Sequence, residues 1–197
     1  MESNSSARGV SLIELLVSVA IVGLFATISI PSLTQISRKR ELRGAAAELR
    51  SIFREVRMRA IARSANSAVK FRRIGQVWHY GFFDDGDGDG VRNEDILSGI
   101  DPMARPYREV FGSTGKVRIG LPGIAQWDAE REERIEPDAS PVRFNRSTLC
   151  SFSPNGSSTP GSIYLTDGAD GAAVVVVYGT TGKVRLKMLT QAVAEAR

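Results

Sequence analysis

Residues 10–30 read VSLIELLVSVAIVGLFATISI, an apolar run interrupted by one charge, Glu14. As a helix rising ~1.5 Å per residue, such a run covers a hydrocarbon core of ~30 Å, so the pattern predicts a membrane-length helix. Beyond Pro31 the pattern changes rather than stops. Leu42, Ala45, Leu49, Ile52, Phe53, Val56 and Ala60 recur at three- and four-residue steps, predicting an amphipathic helix with one stripe buried on a sheet. Pro31 has no N–H for the carbonyl of Thr27, which either kinks the helix or ends its apolar half. Glu41, Glu48 and Glu55 form an acidic row outside the stripe, and Arg43, Arg50 and Arg57 a basic one, suited to lateral helix contacts or to plain solvation.

After residue 63 the period drops to two. Short alternating runs between turn residues predict antiparallel strands at 68–72, 77–83, 116–121, 141–145, 162–166, 172–178 and 183–189. The charged stretch 122–140 reads as an exposed loop or short helix. No alternation of helices with strands points to a parallel sheet. The expected class is therefore α+β, a long N-terminal helix packed on an antiparallel β domain. Its segments are 1–9, an apolar helix at 10–30, an amphipathic continuation at 31–63, and a β body at 64–197.

Composition narrows the function. With 197 residues and 42% hydrophobic content, one modest domain and one apolar segment fit, but two large domains do not. Cys150 stands alone, which excludes an intramolecular disulfide and a cysteine metal cluster, and 19 glycines with 8 prolines suit a turn-rich body. The net charge of +4 is a mild excess on a charged surface and does not by itself imply nucleic acid. His79 has no second histidine for a relay or metal site, and neither Cys150 nor the serines sit in a catalytic pattern, so a non-enzymatic protein is expected.

Glu14 gives the apolar run its chemistry. An unpaired charge near a bilayer costs at least ~2.5 kcal/mol, so the carboxylate calls for a partner cation. The stretch Arg8-Gly9-Val10-Ser11-Leu12-Ile13-Glu14-Leu15-Leu16 resembles the processing site of type IV prepilins and type II secretion pseudopilins. The resemblance implies cleavage by prepilin peptidase after Gly9, a methylated amine on Val10, and Glu14 as the fifth mature residue, meeting the amine of an adjacent subunit and setting axial register. It also matches Pro31 to a family proline. Arg38, Lys39 and Arg40 after the span would favour a cytoplasmic C-terminal side, whereas the resemblance places the body outside.

The C-terminal part, with Phe152-Ser153-Pro154-Asn155-Gly156, Gly161-Ser162-Ile163-Tyr164-Leu165 and Gly179-Thr180-Thr181-Gly182-Lys183-Val184-Arg185, is similar to the GspH/FimT group of minor pilins and pseudopilins. That resemblance implies a pilin-like fold and a structural subunit of a type II secretion pseudopilus or a type IV pilus. Its partners would be other pilin or pseudopilin subunits and prepilin peptidase, with no small-molecule substrate. It would lie single-pass in the inner membrane with its body in the periplasm, then in the filament.

Two further sites carry alternatives. Asp85, Asp87, Asp89 and Asn93 place oxygen donors at the spacing of a calcium loop, although Ile96 stands where an EF-hand has its closing glutamate. The same Asp-Gly run also suits a bare surface turn. Lys183, Arg185 and Lys187 alternate with Val184, Leu186 and Met188, so a strand would put the cations on one face and the apolar groups toward the core. Gly182-Lys183-Val184-Arg185 resembles the Gly-Arg-x-Arg motif of DNA-binding FimT-type minor pilins, which implies DNA uptake as the alternative function. A solvated strand face is the favoured reading, because cationic alternation is common on exposed sheets.

Overall fold

The computed structural model describes residues 11–111, 116–128 and 132–191, the side chains of 25–35 excepted. The chain divides into two units, Met1–Arg38 and Lys39–Arg197, and helix α1, Leu12–Arg63, contributes to both. The helical assignment runs unbroken through Pro31, so the proline does not end the helix; the lost N–H removes one rung of a ladder that continues on both sides. In the first unit the apolar side chains from Leu12 to Leu24 are exposed.

The second unit is built on the buried stripe of α1. Leu42, Ala46, Leu49, Ile52, Phe53, Val56 and Ala60 are buried, whereas Ala45, expected in the stripe, is only partly covered. After α1 come β1 (Ser67–Ile74), β2 (Val77–Asp84), the short helix α2 (Asn93–Ser98) and β3 (Met103–Glu109). They are followed by β4 (Arg118–Ile119), β5 (Gln126–Asp128), β6 (Glu133–Ile135), β7 (Val142–Phe144) and β8 (Leu149–Phe152). The last strands are β9 (Gly161–Thr166), β10 (Ala172–Val177), β11 (Val184–Met188) and β12 (Thr190–Gln191). All pairings between them are antiparallel.

Three ladders result. The first has order β3-β2-β1-β8, the second β11-β10-β9-β4 with β7 also on β9, and the third β12-β5-β6. The third corrects the expectation for 122–140: Glu133 and Arg134 of β6 are exposed while Ile135 is buried, and the stretch contributes two short paired strands, 126–128 and 133–135, within its loops. Its residues 129–131 lie outside the described residues. β10 is buried along its whole length. Ala173, Val175 and Val177 face the α1 core, while Ala172, Val174 and Val176 join Ile135, Tyr164 and Leu189 on the other side. A continuous run of valines suits a strand covered on both faces.

Phe53 is the hub. Its ring centroid lies 5.8 Å from Phe71 of β1, 6.4 Å from Phe152 of β8 and 5.7 Å from Phe144 of β7, so one helical side chain packs against both large sheets. Toward the end of α1 the contact becomes ionic. Arg59 Nε and Nη2 donate to the two Asp84 oxygens at 2.7 and 2.6 Å, Ser67 Oγ donates at 2.9 Å, and Arg63 Nε lies 3.4 Å away. Arg105 pairs with Glu55 and lies 4.4 Å over the Phe82 ring, so one member of the acidic row ties α1 to β3. Arg57 of the basic row lies against the turns at Gly156 and Gly182, with its Nε buried.

Replacing Phe53 with Ala removes the ring shared by the two sheets and is expected to cost about 3–5 kcal/mol, read from thermal or denaturant unfolding of the full chain in neutral detergent. The Arg59 hydrogen bond, against desolvation and with help from Ser67 and Arg63, holds the Asp84 carboxyl below the ordinary aspartate range. The stability it contributes is therefore complete above the unfolded value of about 3.9 and is lost as pH falls from there through the lower folded value. Asp84→Asn should cost about 1–3 kcal/mol at neutral pH, less than a fully buried pair because Arg59 is part-exposed. The variant should also lose less stability than the parent as pH falls through that window; parallel pH curves for the two proteins would contradict this assignment.

Candidate functional site

At the N-terminal end Gly9 and Val10 lie outside the described residues. Glu14 stands in the first turn of α1, where the helix dipole favours a carboxylate, and its backbone carbonyl accepts a 2.7 Å hydrogen bond from Ser18 Oγ. Around it Leu12, Ile13, Leu15, Leu16 and Val17 are exposed. Contiguous exposed apolar surface of this kind marks a contact with membrane or protein. Among the described residues no helix is long and apolar enough to cross a membrane. The expected span at 10–30 runs past the described side chains, which stop at Leu24.

The aspartate loop between β2 and α2 is shaped by its own backbone. Asp85 Oδ1 accepts from the Gly88 N–H at 2.7 Å, and Oδ2 accepts from Gly90 N–H at 3.0 Å and from Asn66 Nδ2 at 2.6 Å. Gly88 and Gly90 take φ of +90° and +100°, which a side chain would strain. At Gly86 an added Cβ would meet the Ile100 carbonyl oxygen at 1.9 Å, so the chain passes too close for any other residue. Desolvation opposes ionisation of Asp85, but the Asn66 bond and the loop amides outweigh it and hold its carboxyl below the ordinary range.

Oxygens of Asp85, Asp87 and Asp89 come within 4.8 Å of one another, a spacing that could hold a metal ion. Asn93, expected as a fourth ligand, turns its amide to Ser147 Oγ at 3.0 Å. Desolvation, then repulsion from Asp87 against the pull of Arg92, raises the Asp89 carboxyl above its usual range. Sequence reasoning missed Asp101. It is 1% exposed and closes the loop from the far side, accepting from the Gly86 N–H at 3.1 Å and the Arg92 N–H at 2.9 Å. An Asp-Pro dipeptide reads only as a turn, so nothing in the pattern pointed to a carboxylate gripping backbone fifteen residues upstream.

The cationic strand is β11, which among the described residues pairs on one side only, with β10. Lys183 precedes it and is exposed, as is Arg185, whose guanidinium lies 5.7 Å from the Tyr178 ring centre. Lys187 departs from the expected stripe. Its Nζ lies 3.9 Å from Asp128 Oδ1 on β5, with the two side chains 14% and 3% exposed. The face that should have been solvent is covered at that end by the β12-β5-β6 ladder, and the lysine serves as counter-ion to a buried carboxylate. On the other face Val184 and Leu186 pack on the core, but Met188 does not and remains exposed.

Comparison with known proteins gives these features a family. Residues 4–30 match the prokaryotic N-terminal methylation motif, and residues 45–182 match the family described as Type II transport protein GspH. Among solved structures the chain is similar to the type IV minor pilin FimU of Pseudomonas aeruginosa, strain PAO1, at 14% identity over 77% of this chain and 92% of that one, with a TM-score of 0.44. A comparison with curated proteins found no match. The GspH match takes in most of α1's buried stripe and nearly all the strands, and the methylation motif takes in Gly9, Val10 and Glu14. The chain therefore belongs to the GspH family and is a pilin-type subunit of the minor pilin and pseudopilin class.

Proposed function

We propose that this chain is a minor pseudopilin of a type II protein secretion system, processed after Gly9 and assembled into the pseudopilus through α1. The supporting observation is the exposed apolar surface from Leu12 to Leu24 with Glu14 as its single charge, joined to a body that buries its own core. Such a helix suits two environments in turn, the bilayer before assembly and the centre of a filament after it. In either, the Glu14 carboxylate needs a cation, and the amine freed on a neighbouring Val10 supplies one without adding net charge. On this reading the subunit waits in the inner membrane with its body in the periplasm, despite the cations at Arg38, Lys39 and Arg40. The same architecture would serve a minor pilin of a type IV pilus; the family's description favours secretion.

DNA uptake is less favoured, because pairing of Lys187 with Asp128 leaves Lys183 and Arg185 as the exposed part of the stripe. The aspartate loop supports a subordinate proposal, a structural calcium ion held by Asp85, Asp87 and Asp89, whose charge would offset the repulsion between Asp87 and Asp89.

N-terminal sequencing of membrane-extracted protein should begin at Val10, and a chain that still begins at Met1 beside an active prepilin peptidase would sink the proposal. Glu14→Ala should be processed normally yet fall at least tenfold in cross-linking to other pseudopilins. Lys183→Ala with Arg185→Ala should leave DNA affinity and its salt slope unchanged; a clear loss would revive the uptake reading. Millimolar calcium should raise the melting temperature of the parent and not of Asp87→Asn with Asp89→Asn, and an equal response from both would leave the loop as a self-capped turn.

A further inference from the structure

β1 alternates cleanly. Val69 and Phe71 enter the core beneath α1, so Ala68, Lys70 and Arg72 occupy the opposite face of the β3-β2-β1-β8 sheet. Part of that face is covered, for Ala68 is buried with Phe83, Val91 and Leu149 beside the aspartate loop and α2. Lys70 and Arg72 lie further along the strand, opposite Gly81 and His79 of β2. Tyr107 of β3 lies over Gly81, where an added Cβ would meet its ring at 3.3 Å, and it packs edge-on against Phe83 with centroids 6.0 Å apart. The Arg72 guanidinium rests 4.5 Å above that ring.

Arg72 is thus held by an aromatic face, not by a carboxylate. Among the described residues neither Lys70 nor Arg72 has an ion pair, whereas Arg59, Arg63, Arg92, Arg105 and Lys187 each have a carboxylate within reach. Two like charges two residues apart on one strand stand ~6.6 Å apart along it. Burial, and then Arg72, push the half-buried Lys70 ammonium below its ordinary value. An anion between the two would offset both penalties. The contact with the Tyr107 ring anchors the Arg72 guanidinium, and a planar fork beside a point charge matches a tetrahedral oxyanion. Glu109 stands opposite His79 on the β3 side of the patch.

We propose that this open half of the sheet face is a phosphate-binding site, in which Arg72 presents its N–H fork to the phosphate oxygens, Lys70 supplies the second charge, and Tyr107 positions Arg72. The shared chemistry is a phosphate group, whether free or on a lipid headgroup. The site does not depend on how the subunit assembles, so its failure and the failure of the pseudopilin reading are separate results.

The full chain in dodecyl maltoside would be titrated at constant ionic strength and followed by phosphorus NMR line broadening. One arm uses inorganic phosphate, the other dihexanoyl phosphatidylglycerol doped into the micelle, with dihexanoyl phosphatidylcholine as the neutral-headgroup control. Saturable broadening is expected in at least one arm, and the arm that responds identifies the source. Lys70→Gln with Arg72→Gln should weaken it at least tenfold, Tyr107→Leu a few-fold, and Lys183→Ala with Arg185→Ala not at all. Lys70→Gln alone, with an unchanged melting curve, guards against misfolding of the double variant and should weaken binding about threefold or more. Absence of saturation in both arms, or equal affinity in the parent and in folded Lys70 and Arg72 variants, would overturn the site.

Discussion

The largest core of the second unit centres on one packing contact, the Phe53 ring between β1, β8 and β7. The three ladders pair within themselves, and the first two also share the apolar stripe of α1. A helix that served only as a membrane stem would need no such stripe. By burying that stripe under two sheets, the second unit makes the C-terminal part of α1 part of its own core. The Arg59–Asp84 and Arg105–Glu55 pairs do related work near the end of α1, where the stripe runs out and ionic contacts hold the helix to β2 and β3.

The parts of this arrangement that were legible in the sequence are those governed by a period. The helical stripe announced itself through residues spaced three and four apart, and Leu42, Leu49, Phe53 and Val56 are buried as that spacing requires. β1, β2, β9 and β10 stood out because branched and aromatic residues cluster between turn signals. β5 and β6 did not, for three-residue strands carrying Glu133 and Arg134 have no room to display a period. β3 was hidden similarly, since Arg105, Pro106 and Arg108 make an edge strand that reads as loop. At the aspartate loop the donor spacing was visible, but the grip of Asp101 depends on a fold-back that no local pattern records.

Charge was the least legible property, for a physical reason. Alternation along a strand assigns a side chain to a face, but what covers that face is decided by segments far away in the chain. Lys187 and Lys70 both sit among alternating cations, and a reading of strands alone treats them alike. The β12-β5-β6 ladder then lays Asp128 over Lys187 and neutralises it, while nothing acidic reaches Lys70 or Arg72 among the described residues. Because burial makes a cation without a counter-ion more costly than an exposed one, the half-buried Lys70 beside Arg72 makes β1 the more informative of the two stripes. Lys183 and Arg185 are exposed, and their alternation alone therefore says little about a ligand.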